Sequence, residues 1–329
     1  MSLRVIGLAI GGLLVTGLVV ALSVVFLVFP RVSAVPDLKL EQTPERVARG
    51  KYLFNNQFAC VGCHTPALEP RRFSGVSDTA HIAAGKHMGG PVPQGFPAEI
   101  YAPNLTPTAL GGWSDGEIYR AITSGVDRDG KPMFALMPYV FYSKLDPEDV
   151  KALVAYLRSL PPEPVTLPAL ELPFPVKTAM RFVARDPEPQ VRPAASDEVA
   201  LGKYLSYASA CFECHTLRNT RGEPVGVPFA GGNIFAMKAG GAARSANITP
   251  DENAGIGAWS RADFIARFRE RNAAAMEKIT PAPGAPDTEM PWTDYAGMTD
   301  QDLGAIYAFL KTVPADPTVV VTWEPPAHP

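Results

Sequence analysis

The hydropathy pattern opens with one long apolar block. From Val5 to Phe29 the chain runs 25 residues without a charge, and only Thr16 and Ser23 break its apolar character. About 20 apolar residues cross a hydrocarbon core, so this block is long enough to span with some tilt. Residues 1–30 are therefore expected as a transmembrane anchor, with Arg4 on the cytoplasmic side. A signal peptide cleaved near Val32-Ser33-Ala34 is the alternative, although such a peptide has an apolar core of only about 7–15 residues. Beyond the block the apolar spacing becomes helical. Val150, Leu153, Val154 and Leu157 recur at i, i+3, i+4 and i+7, as do Leu303, Ile306, Tyr307 and Leu310. Thr43-Pro44-Glu45 opens a helix to about Phe54, and Ser196-Asp197-Glu198 opens another. Ser114 with Glu117 and Ser260 with Asp263 have capping-box spacing.

These elements come in two sets. ARGKYLF (48–54) matches ALGKYLS (200–206), NLTP (104–107) matches NITP (247–250), and MPYVFY (137–142) matches MPWTDY (290–295). Trp113-Ser114 matches Trp259-Ser260, and the helix 146–162 matches 299–315. Such ordered self-similarity means two copies of one domain. We expect an all-α fold: anchor 1–30, linker 31–42, first domain 43–162, connector 163–195, second domain 196–315 and tail 316–329. Gly50 and Gly202 lie inside the first helix of each copy, where glycine costs about 1 kcal/mol relative to alanine. A close crossing against the last helix of the same copy would offset that cost.

Composition sharpens this picture in two ways. Proline, at 34 of 329 residues, is about twice its usual share of ~5%, which predicts short helices joined by extended loops. It is dense in the connector, which is expected to be extended and semi-rigid, its apolar residues (Leu170, Leu172, Phe174, Phe182) packing along both domains. The balance of 30 basic against 33 acidic residues, net −3, excludes a polybasic nucleic-acid footprint.

The chemistry lies in the four cysteines. Cys60, Cys63, Cys211 and Cys214 form two C-x-x-C pairs, each followed directly by histidine: CVGCH at 60–64 and CFECH at 211–215. C-x-x-C-H is the attachment signature of c-type haem. Two thiols add to the two vinyl groups, and the next residue, His64 or His215, offers an imidazole to the iron from the same turn. A thioredoxin-like pair would need a βαβ context, and a tetrahedral zinc site accommodates adjacent Cys and His poorly. Two covalent haem c groups are thus expected.

With these motifs in view, each half resembles a cytochrome c domain of the His/Met type. The NxTP…Trp…Met-Pro-aromatic pattern is similar to the cytochrome subunits of membrane-bound alcohol dehydrogenases, which usually carry three haem domains where this chain has two. The resemblance implies one low-spin haem per domain and electron transfer, not bond-making chemistry. Met137 and Met290 occupy matching places and are the expected sixth iron ligands, since thioether ligation suits haem iron and raises its potential. Met133 matches Pro286 and Met298 matches Leu145, so neither is preferred. His81 and His87 have no counterpart in the second copy and are expected as solvated loop residues, and His328 as part of a disordered tail. Trp113, Trp259 and Tyr101 are candidates for haem edges or plain core, and Asn104 and Asn247 for turn formation before proline.

The expected protein is a non-enzymatic electron carrier. It would be held on the periplasmic side of a bacterial inner membrane, between a quinol-oxidising complex or dehydrogenase and a terminal oxidase or other cytochrome. A fixed subunit of a larger respiratory or photosynthetic complex, and a dihaem peroxidase, are the competing readings.

Overall fold

The computed structural model describes residues 3–68, 76–88, 99–219, 222–237, 240–279, 285–286 and 288–326; His328 lies outside them. In chain order the helices begin with α1 (Leu3–Val28), which contains the one span among the described residues that is long and apolar enough to cross a membrane, Val5–Val28. The first repeat carries α2 (Pro44–Tyr52), α3 (Cys60–His64), α4 (Pro107–Leu110), α5 (Asp115–Ser124), α6 (Tyr139–Tyr142) and α7 (Pro147–Ser159). Then come α8 (Phe174–Val183) and the second set: α9 (Glu198–Ala208), α10 (Cys211–His215), α11 (Arg261–Arg269), α12 (Ala273–Met276), α13 (Trp292–Tyr295) and α14 (Asp300–Leu310). Small antiparallel sheets add to this mostly helical frame. β1 (Ala67–Leu68) pairs with β2 (Val76–Ser77), and β3 (Lys86–His87) with β4 (Tyr101–Ala102). β5 (Ile234–Ala236), β6 (Ala242–Arg244) and β7 (Trp323–Glu324) form the third. The expectation of an all-α chain left these out because pairings of two or three residues carry no readable alternation.

Two compact units form, the smaller from Met1–Lys39, Trp113–Lys144 and Leu172–Glu188, the larger from Leu40–Gly112, Leu145–Glu171 and Pro189–Pro329. In the larger unit α2 crosses α7 and α9 crosses α14, and glycine sets both distances. A Cβ on Gly50 would lie 1.9 Å from the Ala152 carbonyl oxygen, and one on Gly202 would lie 1.8 Å from that of Ala305. Leu53, Phe54, Val150 and Val154 fill the first core, and Leu201, Leu205, Leu303 and Leu310 fill the second. Thr43 and Asp197 cap α2 and α9 as their sequence implies. The chain after α2 widens into a π-helical turn, Leu53–Gln57, which buries Leu53, Phe54 and Gln57.

In the smaller unit Ser114 and Glu117 close the capping box of α5, as Ser260 and Asp263 close that of α11 in the larger unit. α5 ends at Gly125, whose positive φ of 69° lays the chain against the buried Tyr139 ring. The connector departs from its expected extended form. Its stretch FPVKTAMRFV folds as α8, because its one internal proline, Pro175, lies in the first turn, where no backbone donor is needed. The aromatic side chains of α8 meet the end of α1: Phe174 packs on Phe26 at 6.2 Å between centroids and Phe182 on Phe29 at 4.7 Å.

Extra methylenes in a packed core cost about 1–3 kcal/mol, and a carbonyl oxygen cannot rotate away as a side chain can. Gly50→Ala and Gly202→Ala should each therefore lower unfolding free energy by about 1–3 kcal/mol, despite alanine's better helix propensity of about 1 kcal/mol. Denaturant titration of the purified protein reads this directly.

Candidate haem-attachment sites

The two CxxCH segments fold alike. Each is a single helical turn entered from a left-handed alanine, Ala59 at φ 48° and Ala210 at φ 54°. A non-glycine residue is strained in that region, so its recurrence at matching places marks a geometry the fold imposes. Cys63 and Cys214 reach the surface while Cys60 and Cys211 are half-buried. The chain leaving each histidine then folds back over it. Gly85 N–H donates to the His64 carbonyl at 2.8 Å and Gly231 N–H to that of His215 at 2.7 Å. Thr65 and Thr216 hydroxyls accept from Ala83 and Phe229 N–H at 2.9 and 3.1 Å.

Both imidazoles are buried, with Nδ1 held by a main-chain carbonyl: Pro103 at 2.9 Å for His64 and Ala246 at 2.7 Å for His215. A carbonyl only accepts, so Nδ1 carries the proton and Nε2 keeps its lone pair. Burial holds both side chains below the ordinary histidine pKa, against the raising effect of that hydrogen bond. A neutral imidazole with an oriented Nε2 is the form that ligates a metal, so the residues fit the group their motif implies. Asn104 and Asn247 build the loops that supply these carbonyls. Each side-chain oxygen accepts from the N–H and hydroxyl of the next-but-one threonine, Thr106 or Thr249, at 2.7–2.9 Å. Each amide then donates to two carbonyls of the chain beyond the last helix, those of Glu163 and Val165 or of Asp316 and Thr318.

Met290 lies half-buried in the larger unit and its carbonyl accepts from Trp292 N–H at 2.7 Å. Met137, in the smaller unit, is half-buried and its carbonyl accepts from Tyr139 N–H at 2.8 Å, so both methionines enter their helical turn in the same way. Met298 is packed in the core. His81 contacts Glu163 at 3.1 Å and His87 contacts Glu99 at 2.6 Å while stacking on Tyr101. Both histidines are exposed and have carboxylate partners, but neither sits in a plain loop: His81 ends a 3-10 turn, Thr79–His81, and His87 belongs to β3. Trp113 and Trp259 are half-buried.

The cytochrome c family matches this chain twice, over residues 47–161 and 199–314. The chain belongs to the cytochrome c family. Cytochrome c domains carry covalently bound haem c and transfer electrons. Among relatives, this cytochrome is 29% identical over 284 residues to the fructose dehydrogenase cytochrome subunit of Gluconobacter japonicus, covering 82% of this chain and 53% of the relative. It is 28% identical over 302 residues to the cytochrome c subunit of the quinone alcohol dehydrogenase of Gluconacetobacter polyoxogenes, covering 84% and 59%. It is 28% identical over 227 residues to a diheme c-type cytochrome of Cereibacter sphaeroides, covering 65% and 71%. The chain thus spans little more than half the length of these two dehydrogenase subunits.

Within the larger unit the two repeats of this cytochrome exchange equivalent contacts. Tyr52 OH donates to Asp302 at 2.5 Å and accepts from Thr299 N–H at 3.2 Å. Tyr204, the match of Tyr52, donates to Asp149 at 3.4 Å and accepts from Asp146 N–H at 3.0 Å. Asp149 and Asp146 are the matches of Asp302 and Thr299. Each buried aspartate also has a guanidinium. Arg49 grips Asp149 through two bonds of 2.8 and 2.9 Å, whereas Asp302 takes Arg192 of the connector at 2.8 Å because Leu201 stands where Arg49 would be. Burial, reinforced by the Asp302 carboxylate, pushes Tyr52 up to about 12.

Asp294 is a residue that sequence reading passed over. It comes from the second repeat yet sits at the first attachment turn, its Oδ2 2.8 Å from where a Cβ on Gly62 would lie. Asn56 donates to its carbonyl at 3.0 Å, and Lys86 Nζ donates to the Gly62 carbonyl at 3.0 Å. Burial pushes the Asp294 carboxyl up to about 7, with Lys86 and Thr293 opposing. Its match in the first repeat is Phe141, so the internal repeat gave it no signal. A carboxyl whose pKa rises on folding binds its proton more tightly in the native state, so its contribution to stability fades as pH rises from about 4 through 7. Asp294→Asn should remove that slope, raising the melting temperature at about pH 8 and changing it little at about pH 5. Thermal unfolding of the haem-loaded protein at the two pH values checks it.

Proposed function

We propose that this cytochrome is a membrane-anchored dihaem electron relay on the periplasmic face of a bacterial inner membrane. The reading rests on one observation above all. Both CxxCH turns present a buried histidine with Nδ1 spent on a carbonyl and Nε2 left to ligate. Cys60 and Cys63 would hold one haem c and Cys211 and Cys214 the other, with His64 and Met137 offered to one iron and His215 and Met290 to the other. When bound, each haem c takes up and gives back one electron at its iron. The chain's own residues orient and restrain. The Pro103 and Ala246 carbonyls fix the imidazole planes and raise their basicity. The soft thioethers favour the reduced iron and so raise the potential. The reciprocal tyrosine–aspartate contacts hold the two attachment turns in one unit, which suits electron passage between them.

The relatives named as dehydrogenase subunits support a periplasmic dehydrogenase as electron donor, with a quinol-oxidising complex as the alternative source and an oxidase or further cytochrome as acceptor. A fixed place beside a catalytic subunit is the second reading these names favour. Isolation in mild detergent decides between them: a relay travels alone, and a subunit travels with its dehydrogenase.

Intact mass should exceed that of the polypeptide by about 1.2 kDa, the mass of two haems; one haem or none overturns the reading. Met137→His should lower one of two midpoint potentials and leave the other nearly unchanged, since imidazole donates more to ferric iron than a thioether. Met290→His should lower the other. Potentiometric titration followed in the visible band separates the two centres, and two unchanged potentials in Met137→His assign that ligand elsewhere.

A further inference from the structure

Helix α8 leaves two phenylalanine rings largely bare. Phe174 and Phe182 are 63% and 54% exposed, and with Thr178 they recur at i, i+4 and i+8, on one side of the helix. Their rings also touch Phe26 and Phe29, at the carboxyl end of the apolar α1. Lys177 and Arg181, one turn apart, form a second stripe, and α8 contains no acidic residue. Arg181 caps the end of α1: its guanidinium donates to the Phe29 carbonyl and lies 4.7 Å over the Phe26 ring. The chain beyond each helix is held too. Ser33 donates from its N–H and its hydroxyl to the Asp186 carboxylate, and Arg31 forms a β-bridge with Arg185. α8 is therefore fixed to the point where α1 stops being apolar.

In a chain whose first helix spans a bilayer, that point is the level of the lipid headgroups. Phenylalanine on the apolar face of an interfacial helix reaches past the headgroups to the first acyl carbons, and lysine extends to phosphate. We propose that α8 is a second membrane contact. It lies in the headgroup layer with Phe174 and Phe182 among the upper acyl carbons and the exposed Lys177 facing anionic phosphates, while Arg181 stays on the end of α1, so the segment joining the two repeats is tied to the bilayer surface. The occupant of this face is lipid and not another protein, because the face continues the bare apolar surface of α1 and its flanking charge is basic. The inference rests on the anchor reading given above.

Depth measurement by spin label tests both separately. In the haem-loaded full chain the native cysteines are consumed by attachment, so Phe174→Cys, Phe182→Cys, Leu14→Cys and Lys203→Cys each add one reactive thiol. Labelled proteins go into mixed phosphatidylcholine–phosphatidylglycerol vesicles, and collision with oxygen is compared with collision with a water-soluble nickel chelate. The label at 14 should favour oxygen and the label at 203 nickel. Labels at 174 and 182 should favour oxygen, less strongly than 14. If 174 and 182 behave like 203 while 14 stays oxygen-accessible, α8 is not in the membrane and the proposal falls alone. If 14 itself favours nickel, the anchor reading falls and takes this one with it. Shielding of 174 and 182 from both reagents means protein covers the face and also overturns the proposal. Adding Lys177→Glu to the 174-labelled protein should reduce the oxygen preference in vesicles containing phosphatidylglycerol but not in phosphatidylcholine alone; an equal response in both refutes the role of anionic lipid.

Discussion

Two carbonyl oxygens decide how closely each repeat can close. At Gly50 on Ala152 and Gly202 on Ala305, backbone meets backbone with no room for a methyl group. The approach lets the first and last helices bury leucine, valine and phenylalanine from both sides of the crossing. Everything attached to those helices inherits the constraint. The π-helical turn after α2 and the end of α9 both lead within a few residues to a left-handed alanine and then the first cysteine of a CxxCH turn. The crossing therefore fixes where each histidine starts, and the asparagine-built loops fix the carbonyl each one faces.

The contact between repeats reuses the same two helices. The tyrosine two residues past each glycine reaches the aspartate three residues before the other repeat's crossing alanine. Each aspartate is buried and could not stay charged in isolation without large cost. A guanidinium and a phenol on each remove that difficulty. One asymmetry is instructive. Leu201 stands where the first repeat has Arg49, and the connector supplies Arg192 instead. Arg192 also donates from its N–H to Asp146 and from its side chain to Gln57. The joining segment thus does structural work inside the pairing it links.

Much of this was legible in the chain. The matching CxxCH turns, both capping boxes, the reason for an unhelpful glycine inside a helix and the turn role of Asn104 and Asn247 all follow from spacing read against a second copy. What escaped had no second copy or no period. Asp294 matches a phenylalanine, so comparison of the halves hides it, and its burial depends on packing between repeats. α8 was obscured by the proline density around it, although the window from Val176 to Asp186 contains none. The paired strands are too short to alternate. Tyr52 and Tyr204 were seen only as part of a repeated string, because hydrophobic patterning cannot say that a phenol donates across to another domain.

The form of the pairing constrains how such a chain can grow. Equivalent residues contact each other reciprocally, Tyr52 with Asp302 and Tyr204 with Asp149, which is the internal counterpart of an isologous interface. An isologous contact closes on itself: each repeat spends this patch on the other. A head-to-tail contact would have left one patch open at each end. Any further haem domain would have to dock through a different surface, with different residues carrying the contact. The pairing is therefore closed between the two repeats, and the features that differ between the halves, Arg192 for Arg49 and Asp294 for Phe141, lie beside reciprocal bonds that both halves keep.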